Sequence, residues 1–284
     1  MMFSPFWTHT IWYILLAATS VTLLMIALKK APDRRFASAF LLGVLGFTYV
    51  LEAILVIVFN AYHYHPAIVS DSFQDSVLGN IFSQVSVSTS ALLISIFGLS
   101  WKWRTAFSVA YFLIDVLFST LGIYEHEWYR SIYSLFGFFI YSWAVQQWYC
   151  RLRNNPPRFL FYLTWFLGIF ALTGNTIVLP LKLLKLQIFS VGIFSDISKD
   201  HTTGMIIYAP ILIVLIMAHR CWIAPRTLKW IPFLLLTLLQ YVLYSAGFIL
   251  IKPGWLFIVT AADLLGIYVW CAWLNRSLKT IYAY

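Results

Sequence analysis

Nine stretches of roughly 20 mostly apolar residues follow one another along the chain, and this feature constrains its fold most. They cover approximately Thr10–Leu28, Phe36–Phe59, Asn80–Leu99, Thr105–Tyr124, Ser131–Cys150, Phe159–Pro180, Thr203–Trp222, Trp230–Leu250 and Trp255–Trp273. At 1.5 Å per residue each can cross a hydrocarbon core about 30 Å thick as an α-helix. The runs are too long and too uniformly apolar for barrel strands. Only 10% of the residues are charged and the mean hydropathy is +0.83, so a soluble enzyme, a disordered tail and a coiled coil are excluded. The expected fold class is all-α: a polytopic transmembrane bundle of about nine spans.

The net charge of +9 would point to nucleic acid in a soluble protein. Here the basic residues sort by loop. Fourteen of the 19 fall in one alternating set: Lys29, Lys30, Arg34, Arg35, Lys102, Arg104, Arg151, Arg153, Arg158, Arg220, Arg226, Lys229, Arg276 and Lys279. The other five, Arg130, Lys182, Lys185, Lys199 and Lys252, lie in the opposite set. Positive loops stay inside, which predicts the N-terminus outside and the C-terminus inside. No nucleic-acid partner is expected; the partners are the lipid bilayer and a small solute or ion. The N-terminus lacks a basic n-region and a small-residue cleavage site, so its first span reads as a retained anchor. Trp and Tyr gather near span ends, among them Trp101, Trp103, Trp128, Trp222, Trp230 and Trp255, as headgroup-level rings do.

The run Arg151-Leu152-Arg153-Asn154-Asn155-Pro156-Pro157-Arg158 is the strongest punctuation. It divides one membrane domain into a five-span half, residues 1–150, and a four-span half, 151–284. Between 181 and 195 the residues Leu181, Leu184, Ile188 and Val191 recur at helical spacing, which reads as an amphipathic interfacial helix or a re-entrant hairpin. Gly122-Ile123-Tyr124 follows Asp115, and Gly266-Ile267-Tyr268 follows Asp263, but at unequal spacings, so no internal repeat is expected. Three cysteines, Cys150, Cys221 and Cys271, at the inner helix ends form no disulfide framework.

Three acids fall inside spans: Glu52, Asp115 and Asp263. Each costs roughly 2.5–3.5 kcal/mol near a helix centre unless it is compensated. Ser108, Tyr111, Asp115, Ser119 and Gly122 share one stripe of the fourth span, which should face the bundle interior. The third span carries Asn80, Ser83, Gln84, Ser86, Ser88, Thr89 and Ser90 on several faces and should be surrounded by helices. Thr173-Gly174-Asn175-Thr176 before Pro180 reads as an unwound helix end. Glu52, Asp115, Asp263, Asn175 and Gln84 are therefore the candidates for an intramembrane polar or ion-binding site.

Five of six histidines and six of ten acids gather at the predicted outer boundary. His63, His65, Glu125, His126 and Glu127 form the outer-face candidates. Imidazole and carboxylate ligands suit zinc, and a metal-bound water there would make a membrane-surface hydrolase acting on a lipid or envelope precursor. The spacing His-x-His does not define a metal site, and charge sorting explains the same cluster. No nucleotide loop, nucleophile elbow or zinc-finger spacing occurs and no cofactor is evident. The leading expectation is handling of a small solute or ion. The alternatives are the outer-face enzyme and a sensor or assembly partner without turnover.

The segment Gly122-Ile123-Tyr124-Glu125-His126-Glu127-Trp128-Tyr129-Arg130, with Gly79-Asn80-Ile81-Phe82-Ser83-Gln84, resembles uncharacterised multi-pass membrane proteins of Bacillus-type bacteria. The resemblance covers the third to fifth spans. It implies a bacterial cytoplasmic membrane and brings no activity or site residues.

Overall fold

A computed structural model describes residues 6–154, 156–222 and 231–279. Of the predicted features, Arg226, Lys229, Trp230 and the side chains of Cys221 and Trp222 lie outside the described residues.

The apolar runs fold as helices. In order they are α1 (Ile11–Lys30), α2 (Arg34–Glu52), α3 (Ser72–Phe97), α4 (Trp101–Thr120), α5 (Ser131–Asn154), α6 (Arg158–Thr173), the short α7 (Leu179–Leu183), α8 (Ile197–Trp222), α9 (Ile231–Ser245) and α10 (Leu256–Lys279). Wide π-helical turns follow α2 at Ala53–Val58 and α6 at Gly174–Val178. Six helical stretches among the described residues are long and apolar enough to cross a bilayer: Ile11–Lys30, Arg34–Val58, Ser72–Phe97, Arg158–Leu183, Ile197–Arg220 and Leu256–Lys279. Helices occupy the other three predicted stretches too, but α4 and α5 carry more polar residues and α9 has 15 residues. Large apolar side chains point outward throughout, for example Phe136, Ile140, Leu234, Leu238 and Phe257. A surface of this kind is solvated by hydrocarbon.

Four three-residue strands, too short to leave an alternating pattern, join the helix ends: β1 (Tyr62–Tyr64), β2 (Tyr124–His126), β3 (Gln187–Phe189) and β4 (Ile249–Ile251). β1 pairs antiparallel with β2, and β3 with β4. The amphipathic helix predicted over 181–195 is not formed. Helix α7 stops at Leu183, Lys185 turns the chain at φ 55°, and Ile188 lies in β3. Nor does the Thr173–Thr176 segment unwind. It stays helical through a π-turn, with Thr176 Oγ1 donating to the Leu172 carbonyl, and Pro180 follows in the first turn of α7.

The chain forms two compact units, Met1–Phe161 and Tyr162–Tyr284. The second unit retraces the first. A step of 125 residues along the chain takes β1 to β3, Ser72–Phe97 to Ile197–Trp222, Tyr124–His126 to Ile249–Ile251 and Ser131–Asn154 to Leu256–Lys279. The step also maps matching bonds. Glu127 N–H donates to Ala61 O and Lys252 N–H to Leu186 O, at 3.0 and 3.1 Å. His65 N–H donates to Ile123 O and Ser190 N–H to Phe248 O, at 3.0 and 2.9 Å. The expectation of no repeat is thus corrected. Gly122 and Gly247 coincide with φ of 70° and 80°, so this pair belongs to the repeat. Gly266 corresponds to Tyr141 and does not.

Two aspartates build the frame of each copy. Asp71 and Asp196 cap α3 and α8 by accepting from Gln74 N–H, and from Ser198 and Lys199 N–H. One turn later Asp75 accepts from the N–H groups of Ala67, Ile68 and Val69, and Asp200 from those of Val191, Gly192, Ile193 and Phe194. A buried carboxylate thereby folds the preceding loop around itself. At the next residue Ser76 Oγ accepts from Tyr64 N–H, and His201 Nδ1 from Phe189 N–H. Helix α1 stands outside the repeat. It packs on α3, and its Tyr13 hydroxyl donates to Ile123 O at 2.9 Å.

Candidate functional site

Strand geometry decides what the first unit encloses. In β1 and β2 alternate side chains face opposite ways. Tyr62, Tyr64 and Tyr124 turn inward and are buried, while His63, Glu125 and Glu127 turn outward. The three inward rings pack with Tyr13, Phe118 and Ile123 in one core cluster. Tyr64 and Tyr124 stack at 4.6 Å between centroids, and Tyr62 meets Tyr129 edge-on at 5.0 Å.

Beneath this aromatic cap lies a cavity of about 230 Å³. Helix α2 contributes Thr48, Leu51 and Glu52, and α3 contributes Ser83 and Val87. Tyr111, Ile114, Asp115 and Phe118 come from α4, and Tyr133, Ser134, Gly137, Phe138 and Tyr141 from α5. Leu16, Leu55, Tyr129 and the inward tyrosines complete the wall, which contains no lysine or arginine among the described residues.

Each of its two acids is held. Glu52 accepts a short hydrogen bond from the Tyr62 hydroxyl and one from the Asn80 side chain. Asp115 Oδ2 accepts from Ser134 Oγ at 2.5 Å, and Ser134 is 3.0 Å from the Tyr129 hydroxyl. His126 Nε2 stands 3.2 Å from Asp115 Oδ1, at ion-pair distance but off the line of a hydrogen bond. Hydroxyls and carboxylate thus run from His126 through Asp115 and Ser134 to Tyr129. Burial raises the phenols of Tyr62 and Tyr64 well above their usual range and that of Tyr129 to about 12, so all three remain neutral donors at physiological pH.

The predicted α4 stripe lies largely inward, with Ser108 and Asp115 buried and Tyr111 on the cavity wall, although Gly122 is exposed at its turn. The serines of α3 are enclosed by neighbouring helices, as expected. Ser86 and Ser90 bond the Tyr111 hydroxyl at 2.8 and 2.9 Å, and Ser88 bonds Tyr141 and Thr48 at 3.3 and 3.2 Å. These are helix-packing contacts. Gln84 is buried on α3 but is not among the residues lining the cavity. Asn175 lies in the π-turn after α6, in the second unit.

Asp263 also belongs to the second unit. Its Oδ2 accepts from the amides of Gln187 and Gln240 at 3.3 and 3.2 Å, and Gln240 Oε1 accepts from the Tyr208 hydroxyl at 3.0 Å. Under the 125-residue step, Gln187, Tyr208, Gln240 and Asp263 correspond to Tyr62, Ser83, Asp115 and Phe138, all four of which line the first unit's cavity. Asp263→Asn keeps an acceptor for both amides and is expected to leave stability within about 1 kcal/mol. Asp263→Leu strands both amides and is expected to cost about 2–4 kcal/mol. Thermal unfolding in detergent separates the two.

On the outer side of the β1–β2 pair four of the predicted residues meet as two pairs. His65 Nε2 is 3.3 Å from Glu125 Oε2, and His63 Nε2 is 4.0 Å from Glu127 Oε1. His126 points the other way, toward Asp115. No three of His, Cys, Asp and Glu converge as metal ligands among the described residues. Of the cysteines, Cys150 is exposed and Cys271 buried, and neither forms a disulfide among the described residues.

Sequence reasoning missed the tyrosine cap. Tyr62, Tyr64 and Tyr124 resemble interfacial aromatics until the pairing of β1 with β2 turns them to one side. Comparison with family models, curated proteins and solved structures finds no match for the chain.

Proposed function

We propose that this integral membrane protein handles a small solute or ion at the cavity of its first unit, with Glu52 and Asp115 as the binding carboxylates. The observation that carries this reading is the placing of both acids on one cavity wall without a lysine or arginine among the described residues to neutralise them. Carboxylates at membrane depth are costly, and a bound cation or proton offsets that cost. All nine predicted spans cross in this reading, with the N-terminus outside, the C-terminus inside and the bacterial cytoplasmic membrane as the location. Asp263, clamped by two amides, serves structure.

Glu52→Gln and Asp115→Asn keep the shape of the side chains and remove the charge. Each is expected to lower cation or proton binding to purified protein at least about tenfold without changing its thermal unfolding. Proton release on cation addition and calorimetric titration are the measurements. Unchanged binding in both variants would sink the proposal.

A further inference from the structure

We infer that the cavity of the first unit takes an organic ammonium ion, a proposal that rests on the solute-handling reading and names its ligand class. Three observations meet there. The wall combines two carboxylates with seven tyrosines, Tyr62, Tyr64, Tyr111, Tyr124, Tyr129, Tyr133 and Tyr141, and with apolar side chains such as Leu55 and Ile114. No lysine or arginine lines it, and His126 stands beside Asp115 alone, which leaves Glu52 with neutral partners only. The volume of about 230 Å³ exceeds the roughly 150 Å³ of a cavity that holds benzene, so a ligand of several heavy atoms fits.

The chemistry of the wall selects among cations. Aromatic faces attract a cation through their quadrupole, and quaternary ammonium groups are recognised in this way by aromatic cages. A sodium or potassium ion needs a shell of oxygens close around it. Here most of the wall's oxygens are already engaged in hydrogen bonds, to one another or to the serines of α3. A methylated ammonium sheds little hydration, covers the rings with its methyl groups and places its charge near Glu52. The same group occurs free, as in choline, and on the headgroups of phosphatidylcholine lipids.

The test uses the full chain in a non-ionic detergent and isothermal titration with choline. Dimethylbutanol, its uncharged carbon isostere, is the control. Choline is expected to bind at least about tenfold more tightly than the isostere. Tyr124→Leu should weaken choline binding about tenfold and Tyr124→Phe by less than about threefold, because the ring and not the hydroxyl carries the attraction. Tyr133→Leu, at a ring 45% exposed and therefore less needed for folding, repeats the comparison. Short-chain phosphatidylcholine in a parallel titration identifies the source. Tighter binding than free choline makes the ligand a headgroup; weaker binding makes it a soluble solute. Equal binding of choline and its isostere overturns the inference. Binding of sodium or potassium, lost in Glu52→Gln, with no binding of choline overturns it too but leaves the solute-handling reading intact. Indifference of Glu52→Gln and Asp115→Asn to every cation overturns both.

Discussion

Asp200→Ala is expected to release the loop ahead of α8 and to destabilise the second unit by on the order of 3 kcal/mol. The carboxylate of Asp200 accepts four backbone N–H groups at 2.8–3.1 Å. Removing it leaves four donors without a partner, and the loop is only partly buried, so water recovers some of the loss. Asp200→Asn retains one acceptor oxygen and should fall midway. Asp75→Ala removes the corresponding three bonds of the first unit and should behave alike. The difference between the units lies in function. Asp75 fixes the loop directly after β1, so its loss should also weaken cavity binding, whereas Asp200→Ala should not. Thermal unfolding and ligand titration on the same samples measure both effects. An Asp200→Ala protein within about 0.5 kcal/mol of the parent would show that the turn holds without its carboxylate.

Gly79→Ala and Gly204→Ala test the frame from the helix side. A Cβ at Gly79 would stand 2.6 Å from Tyr64 Cβ, and one at Gly204 would stand 2.5 Å from Phe189 Cβ. Neither neighbour is a flexible side-chain end, since each Cβ is fixed to its strand. The strand must leave the helix or the helix must bend. Overpacking of this kind costs about 1–3 kcal/mol, and here the strain also reaches the strand pairing, so the upper part of that range is expected. Gly174→Ala is the control. Its added Cβ meets nothing within 4 Å, and alanine favours the helix, so unfolding should move little or upward. In the first unit the displaced β1 carries Tyr62 and Tyr64 with it, and binding should fall together with stability. Retained wild-type unfolding in both glycine variants would mean that strand and helix separate freely.

Much of the architecture was legible because hydrocarbon imposes a simple rule. Every long apolar run became a helix, and the inward stripe of α4 followed from Asp115 and its polar neighbours at helical spacing. The repeat was legible in principle as well. Ile68, Ser70, Asp71, Asp75, Gly79 and Ile81 recur, spacing for spacing, as Ile193, Ser195, Asp196, Asp200, Gly204 and Ile206. In the sequence alone these acids read as outer-face charge. Their geometry explains why: an aspartate that folds a loop around itself looks, in sequence, like one that merely faces water. Elsewhere the copies diverge, because any side chain that is apolar enough satisfies a lipid-facing position. The cavity was half visible. Glu52 and Asp115 stood out as costly acids, but Asp263 stood out for the same reason and has a different situation. Only the partners Gln187 and Gln240, one of them on a three-residue strand, separate it from the other two.

The correspondence of Gln187, Tyr208, Gln240 and Asp263 with four wall positions of the first unit gives the second unit a distinct meaning. In the first unit these positions line the cavity; in the second, two side-chain amides supply N–H groups to the Asp263 carboxylate. The second unit therefore serves as an internal reference for the first: it shares the strand and helix frame but fills these positions with its own hydrogen bonds. Any treatment that perturbs the shared scaffold should register in both halves, and any true ligand in one.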